Sequence, residues 1–111
     1  NEGVAMVKRF EVYLVNLDPL PSKDAKNTRP TVVISPDELN RNLETVIIAP
    51  IASTNAHYPT RIAIDFLNSK RFVILDQIRT VDKVRLVKKI GEIDAAAQRK
   101  TIDKLYELFA E

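Results

Sequence analysis

The chain has 111 residues, of which 45% are apolar, and a formal net charge of +2. That length suits one domain, and the composition supports a single hydrophobic core. The absence of cysteine excludes disulfides, thiolate metal sites and a cysteine nucleophile.

No apolar run approaches the roughly 20 residues that span a bilayer, and no signal-peptide pattern is present. A cytoplasmic location is the expectation. Residues 1–7 read as an N-terminal extension, native or added, and 8–111 as a single domain. The bases cluster in the middle of the chain. From Arg61 to Lys89 there are eight of them, facing only Asp65, Asp76 and Asp82. Such a segment is compatible with a polyanionic ligand or with an ordinary solvated surface.

"FEVYLVNL", Phe10 to Leu17, is rich in β-branched and aromatic residues and predicts a strand. Asp18-Pro19 stops it, and a polar loop with Asp24, Asn27, Thr28 and Arg29 follows. "TVVIS" after Pro30 predicts a second strand covered on both faces. "PDELNRN" holds turn formers and at most one helical turn. "TVIIAPI", Thr45 to Ile51, predicts a third buried strand, and "ASTNAHYP" a second polar loop. "TRIAIDF" alternates, with Ile62, Ile64 and Phe66 on one face. "LNSK" reads as a hairpin turn and "RFVILDQIRTV" as one longer strand. A short turn over Val81 to Arg85 and a weaker strand, "RLVKKIGEI", follow.

The period then changes. Ile102, Leu105, Tyr106 and Phe109 recur at helical spacing, and Asp94 is a suitable N-cap ahead of three alanines. Closely spaced strands without helical crossovers pair antiparallel. A curled, mainly β sheet or small barrel covered by one helix is therefore expected.

The chain lacks a Gly-rich phosphate loop, an HExxH motif and a Gly-x-Ser-x-Gly elbow, and its one histidine cannot build a multi-histidine metal site. Catalysis is expected to need no metal or cofactor. Two polar loops held by apolar strands are the natural place for a site. The first offers Asp24, Asn27, Thr28 and Arg29; the second offers Ser53, Thr54, Asn55, His57 and Tyr58. RNA cleavage suits this inventory, because RNA supplies its own 2′-hydroxyl nucleophile. The protein must move protons and stabilise charge on phosphate, and the arginine fork fits the second task. Each residue also has a plainer reading. Arg29 can pin its own loop through Asp18 or Asp24. His57 can be a solvated bystander. Ser53, Thr54 and Asn55 can satisfy local backbone, and Asp76-Gln77 can close the sheet internally.

Four segments, "VYLVNLDP", "TRPTVVISP", "VIIAPIAS" and "ILDQIRTVDKVRL", occur in an order that resembles the MazF/PemK (Kid) family of bacterial toxins. The resemblance runs from about Lys8 to the terminal helix. It implies an SH3-like antiparallel β-barrel with a C-terminal helix, working as a homodimer. It further implies a metal-independent, sequence-specific endoribonuclease that cuts single-stranded RNA and leaves a 2′,3′-cyclic phosphate and a 5′-hydroxyl. A cognate antitoxin with an acidic C-terminal segment is the implied protein partner.

By the same resemblance Arg29 falls on the family's catalytic arginine, Asp24 on a loop carboxylate, and Ser53 beside a position that usually holds threonine. That threonine is Ala52 here. Asn27, Thr28, Thr54, Asn55, His57, Tyr58, Asp76, Gln77 and Arg79 are the expected RNA contacts. The first strand of the family commonly opens Arg-Gly-Asp or Arg-Gly-Glu, where this chain has Arg9-Phe10-Glu11. A non-cleaving module of the same fold, or a gyrase poison like the related CcdB toxins, is the alternative.

Overall fold

The computed structural model describes residues 6–17, 27–53 and 60–110. In chain order they form β1 (Glu11–Asn16), β2 (Thr28–Val33), α1 (Asp37–Asn42), β3 (Thr45–Ala52), β4 (Arg61–Phe66) and β5 (Ser69–Ile74). A 3-10 turn (Leu75–Gln77), β6 (Arg79–Asp82), a second 3-10 turn (Lys83–Arg85), β7 (Leu86–Glu92) and α2 (Ala95–Phe109) complete the chain. The strands make one antiparallel sheet in the order β4-β5-β3-β2-β1-β7, with β6 pairing β3 beside that path. The expected mainly β class with a C-terminal helix is what the structure shows: the sheet curls into a half-barrel.

The consecutive apolar residues of the strands are explained by two core clusters, one on each face of the sheet. Val12, Val32, Ala49, Ile51 and Val73 belong to the first, which also receives Ile93 and Ala97 beside the helix. Tyr13, Val15, Val33, Ile48 and Val81 belong to the second, with Val7 ahead of β1 and Leu86 of β7. Neighbouring residues on a strand point to opposite faces, so both faces of β1, β2 and β3 are apolar. In β4 the alternation holds as expected: Ile62, Ile64 and Phe66 are buried, while Ala63 and Asp65 are exposed. Gly91 in β7 sits at φ +152° under the Phe66 ring, and a Cβ there would lie 3.0 Å from two ring carbons.

Two details differ from the sequence expectation. The stretch Arg71–Val81 is two strands, broken by the 3-10 turn at Leu75–Gln77. The outer edge of β3 explains this. It pairs with β6 over Thr45–Ile48 and with β5 over Ile51–Ala52, so the chain must step from one partner position to the next. On α2, Asp94 caps the helix as expected, accepting from Ala97 N at 2.8 Å. However, the core side of α2 is formed by Ala97 and Thr101, joined by Leu105 and Leu108. Small residues there allow close approach to the sheet. Tyr106 and Phe109, part of the apolar periodicity, are 74% and 70% exposed.

α1 is short, but buried polar contacts fix it. Asn40 Nδ2 donates to Ser35 O at 2.9 Å, Ser35 Oγ contacts Asn40 Oδ1 at 2.5 Å, and Ile47 N donates to Ser35 Oγ at 3.0 Å. The clasp ties the end of β2 to the start of β3.

Candidate active site

Arg29 lies at the start of β2, across from Val15 of β1. The β2–β3 ladder runs over Val33, Val32 and Thr31, and its last rung is Thr31 with Pro50. Pro30 follows, and a proline has no N–H to donate to a ladder. Two prolines thus stand where β2 and β3 stop pairing. Beyond them β3 continues against β5 instead, through Ile51–Val73 and Ala52–Phe72. Thr28 and Arg29 form one lip of the resulting notch, and Ala52 and Ser53 the other.

Arg29 is exposed and shares the strand phase of Thr31 and Val33. Thr31 is buried, and its hydroxyl donates to Tyr13 O at 3.2 Å. Among the described residues, nothing hydrogen-bonds or ion-pairs with the Arg29 guanidinium. On the other lip, half-buried Ala52 is two residues beyond Pro50 and so in phase with Arg29. Ser53 is exposed at a bend, one position out of that phase. The first loop is closed at its root by Leu17 N donating to Asn27 O at 2.9 Å, and Thr28 pairs with Asn16. Asp24, Thr54, Asn55, His57 and Tyr58 lie outside the described residues.

Asp76 and Gln77 sit in the 3-10 turn between β5 and β6, along the opposite edge of β3 from β2. Asp76 Oδ1 accepts from the Thr60 hydroxyl at 2.9 Å and from Arg61 Nε at 3.5 Å. Partial burial pushes the Asp76 carboxyl up. The Thr60 hydroxyl and the Arg61 guanidinium outweigh that effect and hold it below its usual value. Leu75 N donates to Thr60 O at 3.1 Å. Asp76 therefore fastens the start of β4, where the second loop rejoins the sheet.

Arg79 is exposed on β6, opposite Ile48. It lines a cleft of about 380 Å³ with Leu17, Thr45, Thr80 and Arg85. Arg85 Nη1 donates to Asn16 O at 3.1 Å, at the end of β1. Arg85 and Thr45 carried no local signal marking them as neighbours of Arg79. The turn over Lys83–Arg85 brings them together, and only the tertiary fold reveals it.

The basic middle of the chain is largely engaged in internal contacts. Arg61 meets Asp76, Arg71 Nε donates to Phe66 O, Lys83 Nζ reaches Asn40 O, and Lys70 pairs across the hairpin with Asp65. Lys89 Nζ lies 2.8 Å from Glu11, a carboxylate that is 5% exposed. Glu11 also accepts from Lys8 N at 2.9 Å and from the Tyr13 hydroxyl at 3.1 Å. Burial, then the Glu11 charge and hydrogen bond, push the Tyr13 phenol up to about 12. The hydrogen bond to Glu11 also raises the Lys89 ammonium above its ordinary value. Arg29 and Arg79 stand apart from this network as exposed guanidiniums beside a notch and a cleft.

With the geometry in place, comparison with known proteins is informative. The family model described as "PemK-like, MazF-like toxin of type II toxin-antitoxin system" matches residues 8–109. The "Endoribonuclease EndoA" of Bacillus subtilis (strain 168) is 38% identical over 98 residues, which are 80% of this chain and 82% of that protein. A solved "Endoribonuclease from Mycobacterial species" superposes with a TM-score of 0.76 at 25% identity, covering 92% of this chain and 89% of its own. A second structure, "Endoribonuclease in complex with its cognate antitoxin from Mycobacterial species", gives a TM-score of 0.76 at 24% identity, covering 91% of this chain and 92% of its own.

Proposed function

The chain belongs to the family of PemK-like, MazF-like toxins of type II toxin-antitoxin systems, and on that premise we propose that it is a metal-independent endoribonuclease acting on single-stranded RNA, mRNA included. One observation carries the chemistry. Arg29 presents an exposed guanidinium, without a described partner, at a notch where two prolines end the β2–β3 ladder.

RNA bound there would react by attack of its own 2′-oxygen on the adjacent phosphorus. The 2′-O–P bond forms, the bond from phosphorus to the 5′-oxygen breaks, and the 2′-proton leaves to a base. The leaving oxygen takes up a proton, so the products are a 2′,3′-cyclic phosphate and a 5′-hydroxyl. Charge accumulates on the non-bridging oxygens, and a guanidinium fork aimed at them lowers the barrier. In this reading Arg29 is that fork. Asp24 and Ser53 assist proton movement, while Asn27, Thr28, Thr54, Asn55, His57, Tyr58, Gln77 and Arg79 hold RNA. Asp76, with its carboxylate turned to Thr60 and Arg61, acts by positioning the second loop.

Residues 8–109 match the family model, and we read 8–111 as one toxin domain, cytoplasmic and homodimeric. No helix among the described residues is long and apolar enough to cross a membrane. A protein of the same fold has been solved with its cognate antitoxin. An antitoxin with an acidic C-terminal segment is accordingly the proposed protein partner, competing with RNA for the basic side chains around the notch.

The deciding experiment is incubation of the purified protein with long single-stranded RNA in EDTA, followed by mapping of cut ends. Discrete cuts that vanish in Arg29→Ala are expected, with RNA affinity falling steeply as salt rises because phosphate contacts release counterions. RNA that binds in a salt-sensitive manner but stays intact would establish the second reading, a non-cleaving module. The observation favouring that reading is Ala52, which leaves no hydroxyl at the position in phase with Arg29.

A further inference from the structure

We propose that the outer face of α2 docks against the same face of a second copy of this chain, with the two helices antiparallel. This deepens the homodimer in the proposed function, and rests on it, by assigning the surface and the direction.

Ile102, Tyr106 and Phe109 recur at helical spacing on a stripe separate from the Ala97–Thr101–Leu105–Leu108 side that meets the sheet. Tyr106 and Phe109 are mostly exposed. Together with Arg9, Leu105 and Ala110 this stripe lines a groove of about 590 Å³ running beside the helix. Aromatic residues clustered on an exposed face mark a surface that associates.

The charges name the occupant. Beyond the Asp94 cap, the first turn of α2 holds no acid and the last turn no base. Arg99 and Lys100 lie in its N-terminal half, and Glu107 in its C-terminal half. That order opposes the one a helix dipole favours, so the helix's own stability does not account for it. It is self-complementary when the helix meets its own copy reversed. An isologous contact places residue i against j and j against i. Centred between Ile102 and Tyr106, the antiparallel arrangement sets Ile102 of one copy against Tyr106 of the other. Each Arg99 then lies within a turn of the opposite Glu107, and both belong to the same flank of the stripe. A parallel pair would bring like charges level with one another. Stable interfaces bury about 800 Å² per partner, so the Arg9–Phe10 turn beside the groove is expected to join the helix in the contact.

The test is the oligomeric state of the full chain by sedimentation equilibrium. The unaltered protein is expected to be a dimer at micromolar concentration, and Tyr106→Ser with Phe109→Ser is expected to be a monomer with unchanged circular dichroism. Arg99→Glu alone and Glu107→Arg alone should each weaken the dimer roughly 3- to 10-fold at low salt, and the double reversal should restore it. A dimer indifferent to the serine substitutions overturns this surface while leaving the homodimer intact. Failure of the double reversal to restore affinity overturns the antiparallel arrangement. A chain that stays monomeric at tens of micromolar overturns both the surface and the homodimer.

Discussion

Thr31 faces Pro50 on the last rung of the β2–β3 ladder, and the next residue of β2 is itself a proline. The catalytic reading of the notch depends on this termination. Arg29 and Ala52, each two residues beyond that rung, share its phase without being joined by it. Introducing a hydroxyl at Ala52 should therefore help the reaction if Arg29 is the phosphate clamp. Ala52→Thr is expected to raise the RNA cleavage rate by about 10-fold or more, within the range of general acid–base assistance. Arg29→Ala should remove cleavage in both backgrounds. An Ala52→Thr protein that cuts no faster than its parent would show that the missing hydroxyl is supplied elsewhere.

Asp76 gives a second prediction, about loop anchorage. Its carboxyl is held below the usual value, so its ionised form is favoured in the fold. The contribution is therefore complete above the unfolded carboxylate range and is lost as pH falls through the lower, folded value. Asp76→Asn should reduce stability at pH 7 by no more than about 1 kcal/mol, because the pair with Arg61 is partly solvent-exposed. The difference from the parent should shrink below pH 4. For RNA cleavage, a positioning role predicts a lower kcat with little change in KM. Thr60→Val should do the same, since it removes the hydroxyl that Asp76 accepts from. A shifted pH–rate optimum in Asp76→Asn would instead assign Asp76 a proton in the reaction.

Much of the fold could be read along the chain because its signals are local. β-branched runs, the alternation in β4, the Asp94 cap and the hairpin at Leu67–Asn68 each depend on a few consecutive residues. The break at Leu75–Gln77 could not be read, because it is imposed by β3, whose outer edge is divided between two partners. The rotation of α2 was hidden for a similar reason. Ala97 and Thr101 are small, and their value lies in what they allow the sheet to approach, whereas the large residues Tyr106 and Phe109 dominate the periodicity. At the site, the motif identified Arg29. The notch beside it is a property of Pro30 and Pro50 acting across two strands, and the cleft joining Arg79 to Arg85 and Leu17 is tertiary.

Tyr13 gives a third prediction, at the alkaline end. Its phenol is raised from 10.0 to about 12 by burial and by Glu11. Between those values the unfolded chain loses this proton and the folded one keeps it, so stability is complete below pH 10 and declines as pH rises towards 12. The decline attributable to this group is about 2 kcal/mol. Tyr13→Phe cannot ionise. It should be less stable than the parent at pH 8 by about 1–2 kcal/mol, because buried Glu11 loses a donor. That gap should narrow or close by pH 12. Urea titrations at pH 8, 10 and 12 measure it, and a gap independent of pH would contradict the assignment.

Phe10 supplies the last prediction, and it inverts a usual ranking. Phe10 has φ +75°, a left-handed backbone that suits glycine and strains a bulky residue. The surroundings leave it no alternative. Phe10 N donates to Val33 O at 2.7 Å, and Ile93 N donates to Phe10 O at 3.1 Å, tying this residue to the end of β2 and the approach to α2. The ring repays part of the strain by packing against the first core cluster and under the Arg9 guanidinium, 5.3 Å from its centroid. Removing the ring costs packing in either small variant. Phe10→Ala keeps the positive-φ penalty of about 1–2 kcal/mol, whereas Phe10→Gly escapes it. Phe10→Gly should therefore be more stable than Phe10→Ala by about 1 kcal/mol in urea unfolding, although glycine is ordinarily the worse of the two. The opposite order would mean that the backbone at residue 10 relaxes to negative φ once the ring is gone, which would break at least one of its two hydrogen bonds.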